Sequence, residues 1–258
     1  MARLRELTWP AARAALENKV VVLPVGSVEQ HGRHLPLATD HVTAEAIALR
    51  AEAAHDLVVA PTLPYGISPH HRQFFGTLTL RSEVFRDVIL DIGRSLRSHG
   101  TAKLVVVNGH GGNSAALAEA AQVLRTEGLA CILFDWWRGL DDALYKELLG
   151  EKAASIIGHA CAMETSVALH LFPEWVRLDA AVDVPHSWAE TVHGGQVRFD
   201  TIDFSEHGNI GYPTLARREA GEVMIARAVA NLVALVEWLE AQPLSELLAR
   251  PHLARTAN

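Results

Sequence analysis

A chain of 258 residues, 49% apolar and 21% charged, has the size and composition of one soluble globular unit, and residues 1–258 are read as a single domain. A formal net charge of −7 excludes the basic face that nucleic acid requires, and two cysteines, Cys131 and Cys161, exclude a disulfide framework or a four-cysteine zinc site. No apolar run reaches membrane-spanning length and the segment from Met1 to Lys19 carries charges throughout, so a cytoplasmic protein without membrane or nucleic-acid partners is expected.

Residues 20–23 read as a buried strand. It feeds a loop dense in acids and histidines: Glu29, His31, His34, Asp40 and His41. On an extended backbone Glu29 and His31, two apart, point to the same side. Asp40 follows after enough chain to turn back toward them. Carboxylate, imidazole and carboxylate converging from one loop form a donor set for a divalent cation. Residues 42–55 have helical composition, and 57–60 form a second short β-run closed by Pro61. The Pro/Gly loop that follows brings His70 and His71.

Ser82 is placed to cap a helix in which Val84, Phe85, Val88, Ile89, Ile92 and Leu96 fall at helical spacing up to Gly100. Residues 104–107 make a third strand, which runs into Asn108-Gly109-His110-Gly111-Gly112-Asn113. A helix over 114–127 and a strand over 129–134 come next, and then Trp136 and Trp137, placed to line a pocket. Two further helices are expected at 141–149 and 159–172; the second begins with His159 and carries Glu164. Residues 179–211 read as a long functional or interface loop with a short hairpin, and 215–240 as a long apolar-rich helix. Of fourteen histidines, His55, His99 and His252 read as surface residues.

Short continuous apolar strands alternating with helices are the mark of a parallel sheet covered on both faces, and such sheets bind ligands outside the carboxyl ends of their strands. The Glu29 and His110 loops both leave carboxyl ends, so they can meet above the sheet. A glycine-rich strand-to-helix turn also suits a dinucleotide pyrophosphate, with Asp135 at the end of the next strand as the ribose acid. The third glycine of that fingerprint is Ser114 here, and a histidine in the turn suits a metal better.

Three strings resemble the creatininase family: Pro24-Val25-Gly26-Ser27 through Glu29-Gln30-His31-Gly32 to Thr39-Asp40; Asn108 to Asn113; and His159 with Glu164-Thr165-Ser166. Tyr65-Gly66, Ser68, His71 and Gly76-Thr77 add to the match, as do the late Gly208, Gly211 and Pro213-Thr214. The resemblance implies a three-layer α/β/α sandwich with a mainly parallel sheet and a dinuclear centre that hydrolyses carbon–nitrogen bonds of cyclic or linear amides. Two divalent ions, zinc, manganese or iron, are implied, as is a hexameric homo-oligomer. Carried over by motif, Glu29 and His110 hold one ion, His31 holds the other, and Asp40 bridges them.

Creatininases proper have a glutamate two residues after the histidine of the third-strand loop, where this chain has Gly112; with that ligand absent, Glu164 is the candidate to complete the shell of the second ion, the one His31 holds. His159 is expected to shuttle a proton to the leaving nitrogen. His34, His71, Trp136 and Trp137 are candidate substrate contacts. Creatinine-cleaving members carry a mobile tryptophan where this chain has Ser155-Ile156-Ile157-Gly158, which favours another substrate: a lactam, a formamide or a short peptide. Relatives include formamide deformylases of flavin and deazaflavin pathways and a peptidase of mycofactocin maturation. The competing readings are a creatinine amidohydrolase proper, a silent metal-binding scaffold and a nucleotide-binding protein.

Overall fold

Strands that are apolar at every position need cover on both sides, and the computed structural model supplies it. It describes residues 2–17, 19–186 and 189–249. A five-stranded sheet contains β1 (Ala2–Arg3), β2 (Val21–Val25), β3 (Val58–Val59), β4 (Lys103–Asn108) and β5 (Ala130–Asp135), in the order β1-β3-β2-β4-β5. Every pairing in it is parallel. The helices are α1 (Trp9–Leu16), α2 (Thr39–Ala54), α3 (Ser82–Ser98), α4 (Ser114–Thr126), α5 (Asp142–Leu149), α6 (Glu151–Ala154), α7 (Ala162–Leu171), α8 (Thr201–Phe204), α9 (Arg218–Ala241) and α10 (Leu244–Leu247). A separate antiparallel hairpin joins β6 (Ala189–Val192) to β7 (Gly195–Arg198).

The period-2 geometry of a strand splits its side chains between two cores. Val22, Val105 and Val107 face one core with Ile47, Val167, Met224 and Leu232 of α2, α7 and α9. Val21, Leu23, Leu104 and Val106 face the other with Phe85, Ile89, Leu117 and Leu124 of α3 and α4. That is the expected three-layer α/β/α sandwich. The long helix α9 packs its small residues tightly: a Cβ on Gly221 would lie 2.0 Å from Ser166 O on α7.

Three expectations need correction. Helix α2 starts at Thr39, so Asp40 sits in its first turn rather than in the preceding loop. Helix α3 is preceded by Arg81 as its N-cap; Ser82 is the first helical residue and no side chain caps it. Helix α7 begins at Ala162, and His159 lies ahead of it on extended chain bridged to Ile210. The hairpin expected within 179–211 is present as β6–β7, followed by the short α8. His99 is exposed and His55 half-buried, while His252 lies outside the described residues. No described helix is long and apolar enough to cross a membrane.

Candidate metal centre

Three chain segments converge at the carboxyl ends of β2 and β4. Beyond β2, the chain brings Glu29 and His31 inward, with 1% and 0% of their surfaces exposed. The first turn of α2 then presents Asp40 at a helix N-terminus, where a carboxylate is electrostatically favoured. Beyond β4, Asn108 ties down the loop that carries His110: its Nδ2 donates to His110 O (2.8 Å) and its Oδ1 accepts from His110 N–H (3.1 Å). Gly109 is required here by space, because a Cβ would lie 2.2 Å from Asp40 O.

The third segment precedes α7. Ala160 takes a left-handed φ of 45°, costly for a residue with a side chain. Its N–H donates to Glu164 Oε2 at 2.5 Å, which closes the turn and brings His159 and Glu164 to the same site.

Two groups of donors result. Glu29, Asp40 and His110 each offer one atom, all within 4.8 Å of one another, and so do His31, Asp40 and Glu164. Asp40 belongs to both, and its two oxygens face different histidines: Oδ1 is 3.0 Å from His31 Nε2 and Oδ2 is 3.2 Å from His110 Nδ1. His110 Nδ1 is also 3.3 Å from Glu29 Oε2, and Glu164 Oε1 is 4.0 Å from His31 Nε2. A third, overlapping group joins Glu29, His31 and His159.

Packing three carboxylates together away from water is unfavourable unless positive charge accompanies them. Burial would raise Glu29, but the neighbouring His110 charge outweighs it and holds the carboxyl well below its ordinary range. Asp40 is likewise lowered, against its burial, by His31 and His110. Burial would lower His31, yet the Asp40 carboxylate lifts it to about 10, and His110 is raised well above its ordinary value against its burial by Glu29 and Asp40. Glu164 goes the other way, raised by burial. Protons on two histidines thus do what cations would do. Asp40 Oδ2 and His31 Nε2, both buried, make no hydrogen bond in this arrangement. The donor set fits two divalent ions bound by oxygen and nitrogen.

The surroundings orient the donors. His110 Nε2–H donates to Ile67 O (2.9 Å), which leaves Nδ1 for Glu29 and Asp40. His159 Nε2–H donates to Gln30 O (2.7 Å), so its Nδ1 faces Glu29 Oε1 at 3.7 Å. Burial and the His31 charge push His159 well below its ordinary value, which keeps it neutral. Two residues that sequence reasoning left without a role take part. Ser68 Oγ donates to Glu29 and lies 2.5 Å from Ser27 Oγ, and His70 lies 4.1 Å from His71, centroid to centroid. Ser68 stood within the family-like string, but nothing local to the sequence tied it to Glu29.

A cavity of about 860 Å³ opens over the centre, and Glu29, Asp40, His110, His159 and Glu164 are on its walls. Among the candidate substrate contacts, His71 and Trp137 line it. His34 and Trp136 do not. His34 is buried with Nε2 3.0 Å from Thr165 Oγ1, and Trp136 packs in the core, edge-on to Trp137. The outer wall comes from Arg198, Phe199, Asp200 and Asp203, which a sequence reading could place only in a long loop. Asp135, the rival ribose acid, is occupied by Asn108, Ser114 and Arg138.

Residues 5–236 match the family model Creatininase, described as creatinine amidohydrolase. Among characterised relatives, the mycofactocin precursor peptide peptidase of Mycolicibacterium smegmatis is 37% identical over 216 residues, covering 81% of each chain. The creatinine amidohydrolase of Pseudomonas putida is 31% identical over 243 residues, 88% of this chain and 93% of its own. Among solved structures, a manganese form of creatininase superposes with a TM-score of 0.83 at 27% identity, over 93% of this chain and 99% of that one. A Zn-Zn form of an E122Q creatininase mutant gives 0.80 at 29% identity, over 93% and 98%.

Proposed function

Because the chain belongs to the creatininase family, we propose that it is a two-metal amidohydrolase that cleaves a carbon–nitrogen bond in a short peptide or peptide-like amide. The observation that carries this reading is the pair of largely buried donor triads sharing Asp40. Glu29, Asp40 and His110 would hold one ion; His31, Asp40 and Glu164 would hold the other. Glu164 thereby takes the place left by Gly112. When bound, paired zinc, manganese or iron(II) ions supply Lewis acidity toward a carbonyl and acidify the attacking water.

The chain's own residues do the rest. Asp40 holds the two ligand groups in one frame. His159, anchored through Nε2, turns Nδ1 to the centre, where it can accept a proton and pass it to the departing nitrogen. Ile157, Met163 and Phe199 give the cavity apolar walls that suit a substrate with hydrocarbon side chains.

A peptide-like substrate is favoured over creatinine on two grounds. The cavity, at about 860 Å³, is far larger than a single small ring needs, and the stretch 155–158, which reaches it through Ile157 and Gly158, has no tryptophan such as creatinine-cleaving members carry there. The 34–37% identity to mycofactocin precursor peptide peptidases points the same way. By family resemblance the protein would assemble as a homo-oligomer, a hexamer.

The test is hydrolysis of a panel of short peptides, formamides, lactams and creatinine by protein with its metals, repeated after chelation. Peptide cleavage that chelation abolishes and added zinc or manganese restores is expected. Cleavage that survives chelation, or creatinine as the preferred substrate, refutes the reading.

A further inference from the structure

One buried hydroxyl ties the outer wall of the cavity to His71, which stands beside Glu29. The strap formed by residues 198–204 is mostly exposed: Phe199 and Ile202 are each 40% exposed. Thr201, between them, is 0% exposed. Its Oγ1 lies 2.9 Å from His71 Nδ1. Asp200, just before it, clamps the strap from outside, accepting from Arg72 Nη1 (3.1 Å) and Nη2 (2.5 Å) and from the Gln73 side-chain amide. Asp200 and Asp203 also cap α8 reciprocally, which sets the orientation of Thr201.

The protonation pattern of His71 follows from its neighbours. Gln30 Oε1 accepts from Gly32 N–H (2.8 Å), so its NH₂ group faces the other way and donates to Gly208 O (2.7 Å) and to His71 Nδ1 (2.7 Å). His71 Nδ1 is therefore an acceptor, Thr201 is a donor to it, and the ring proton sits on Nε2. That N–H faces Glu29 Oε1 at 3.6 Å.

We infer that the Thr201 hydroxyl positions His71 against Glu29, so that closure of the strap and ion binding at the Glu29–Asp40–His110 group are linked. The inference rests on the two-ion reading above. Linkage is reciprocal: whatever the strap adds to ion affinity, the ion returns as strap order. At 3.6 Å the imidazole N–H acts on the Glu29 carboxylate electrostatically, beyond hydrogen-bond length; groups that orient a metal-binding carboxylate from behind typically carry about 10–100-fold in metal affinity. Thr201 is a positioning residue, acting through His71. A substrate that pushes the Arg198–Asp203 wall outward would then also loosen the ion that has to act on it, so the wall and the centre select substrate together.

The experiment is zinc titration of chelator-stripped protein against a competing indicator dye, with backbone amide exchange across residues 198–204 followed with and without zinc. Wild type, Thr201→Val and Thr201→Ser are compared. Wild type is expected to take up two zinc ions and to slow exchange in the strap as they bind. Thr201→Val should weaken one of the two steps by about 10-fold, leave the other unchanged and abolish the zinc-dependent slowing. Thr201→Ser, which keeps the hydroxyl, should restore both.

Two zinc ions bound by Thr201→Val with wild-type affinities and wild-type strap protection would overturn the linkage while leaving the two-ion centre standing. A wild type that binds no zinc overturns the centre itself, and the linkage with it. Should Thr201→Val fail to fold, Asp200→Asn loosens the same clamp from a partly exposed position, and the same two readouts apply.

Discussion

Replacing Gly112 by alanine tests how the missing family glutamate is built into this chain. A Cβ at Gly112 would lie 2.2 Å from Ile67 O and 2.4 Å from His110 Nε2, where ordinary contact begins at 3.4 Å. Those two atoms are partners in the hydrogen bond, 2.9 Å long, that aims His110 at Glu29 and Asp40. The methyl group would wedge that bond apart by about 1 Å, several times the tolerance of about 0.2 Å that a metal–ligand distance allows. The Glu29–Asp40–His110 group should lose its ion, while His31–Asp40–Glu164, which does not use His110, keeps its own. Overpacking of this kind costs about 1–3 kcal/mol. At ~2–4 °C per kcal/mol for a chain of this size, the melting temperature should fall by several degrees. Metal counting by mass spectrometry should give one ion per chain in place of two, and activity should drop by about 100-fold or more. A Gly112→Ala protein that melts like wild type and retains two ions would refute the argument that this loop has no room for the family's side chain.

Other substitutions separate the remaining roles. Asp40→Ala removes a donor from both groups and should leave neither ion bound under dialysis, whereas Glu164→Ala should cost only one; equal losses in the two would contradict a bridging Asp40. His159→Ala should retain both ions yet lower kcat by about 10²–10⁴-fold, separable from ligand loss by metal counting on the same preparation. The metal-free protein should become less stable as pH rises. His31 is raised to about 10 in the folded chain against about 6.5 unfolded, so its contribution is complete below pH ~6.5 and is lost as the pH climbs through about 10. Thermal melts between those limits, with chelator and with zinc, check this: the decline belongs to the chelated sample, because zinc replaces the proton.

The sequence carried a large part of this structure because local rules settle it. Continuous apolar runs such as that around Val105 can be stable only in a strand buried on both faces, and the chain places it there, between β2 and β5. The spacing of Glu29 and His31, two apart, was enough to send both to one side, and the loop after β4 had to open at a carboxyl end. The order of motifs along the chain identified the family, and the match over residues 5–236 agrees. Where local signals compete, tertiary contacts decide the element boundaries. Asp40 lies inside α2, which begins at Thr39, rather than before it, and His159 is on extended chain because it pairs with Ile210, far along the sequence.

Tertiary structure decided what depends on distance between segments that are far apart in the chain. Nothing local assigns the two oxygens of Asp40 to His31 and His110, or brings Ser68 to Glu29. His34, as rich in chemical promise as His31 by sequence, is turned away to Thr165. Gly112 could be read only as a missing acid; the fold shows that the space itself is gone, filled by Ile67 O and the His110 ring. The wall built from Arg198 to Asp203, with Thr201 held against His71, comes from a segment whose residues lack strong periodicity. Residue types and their spacing determine which donors a chain owns and the elements that carry them. Which donors meet is set by how helices and strands pack, since burying charge is tolerable only where opposite charge has been brought within a few ångströms.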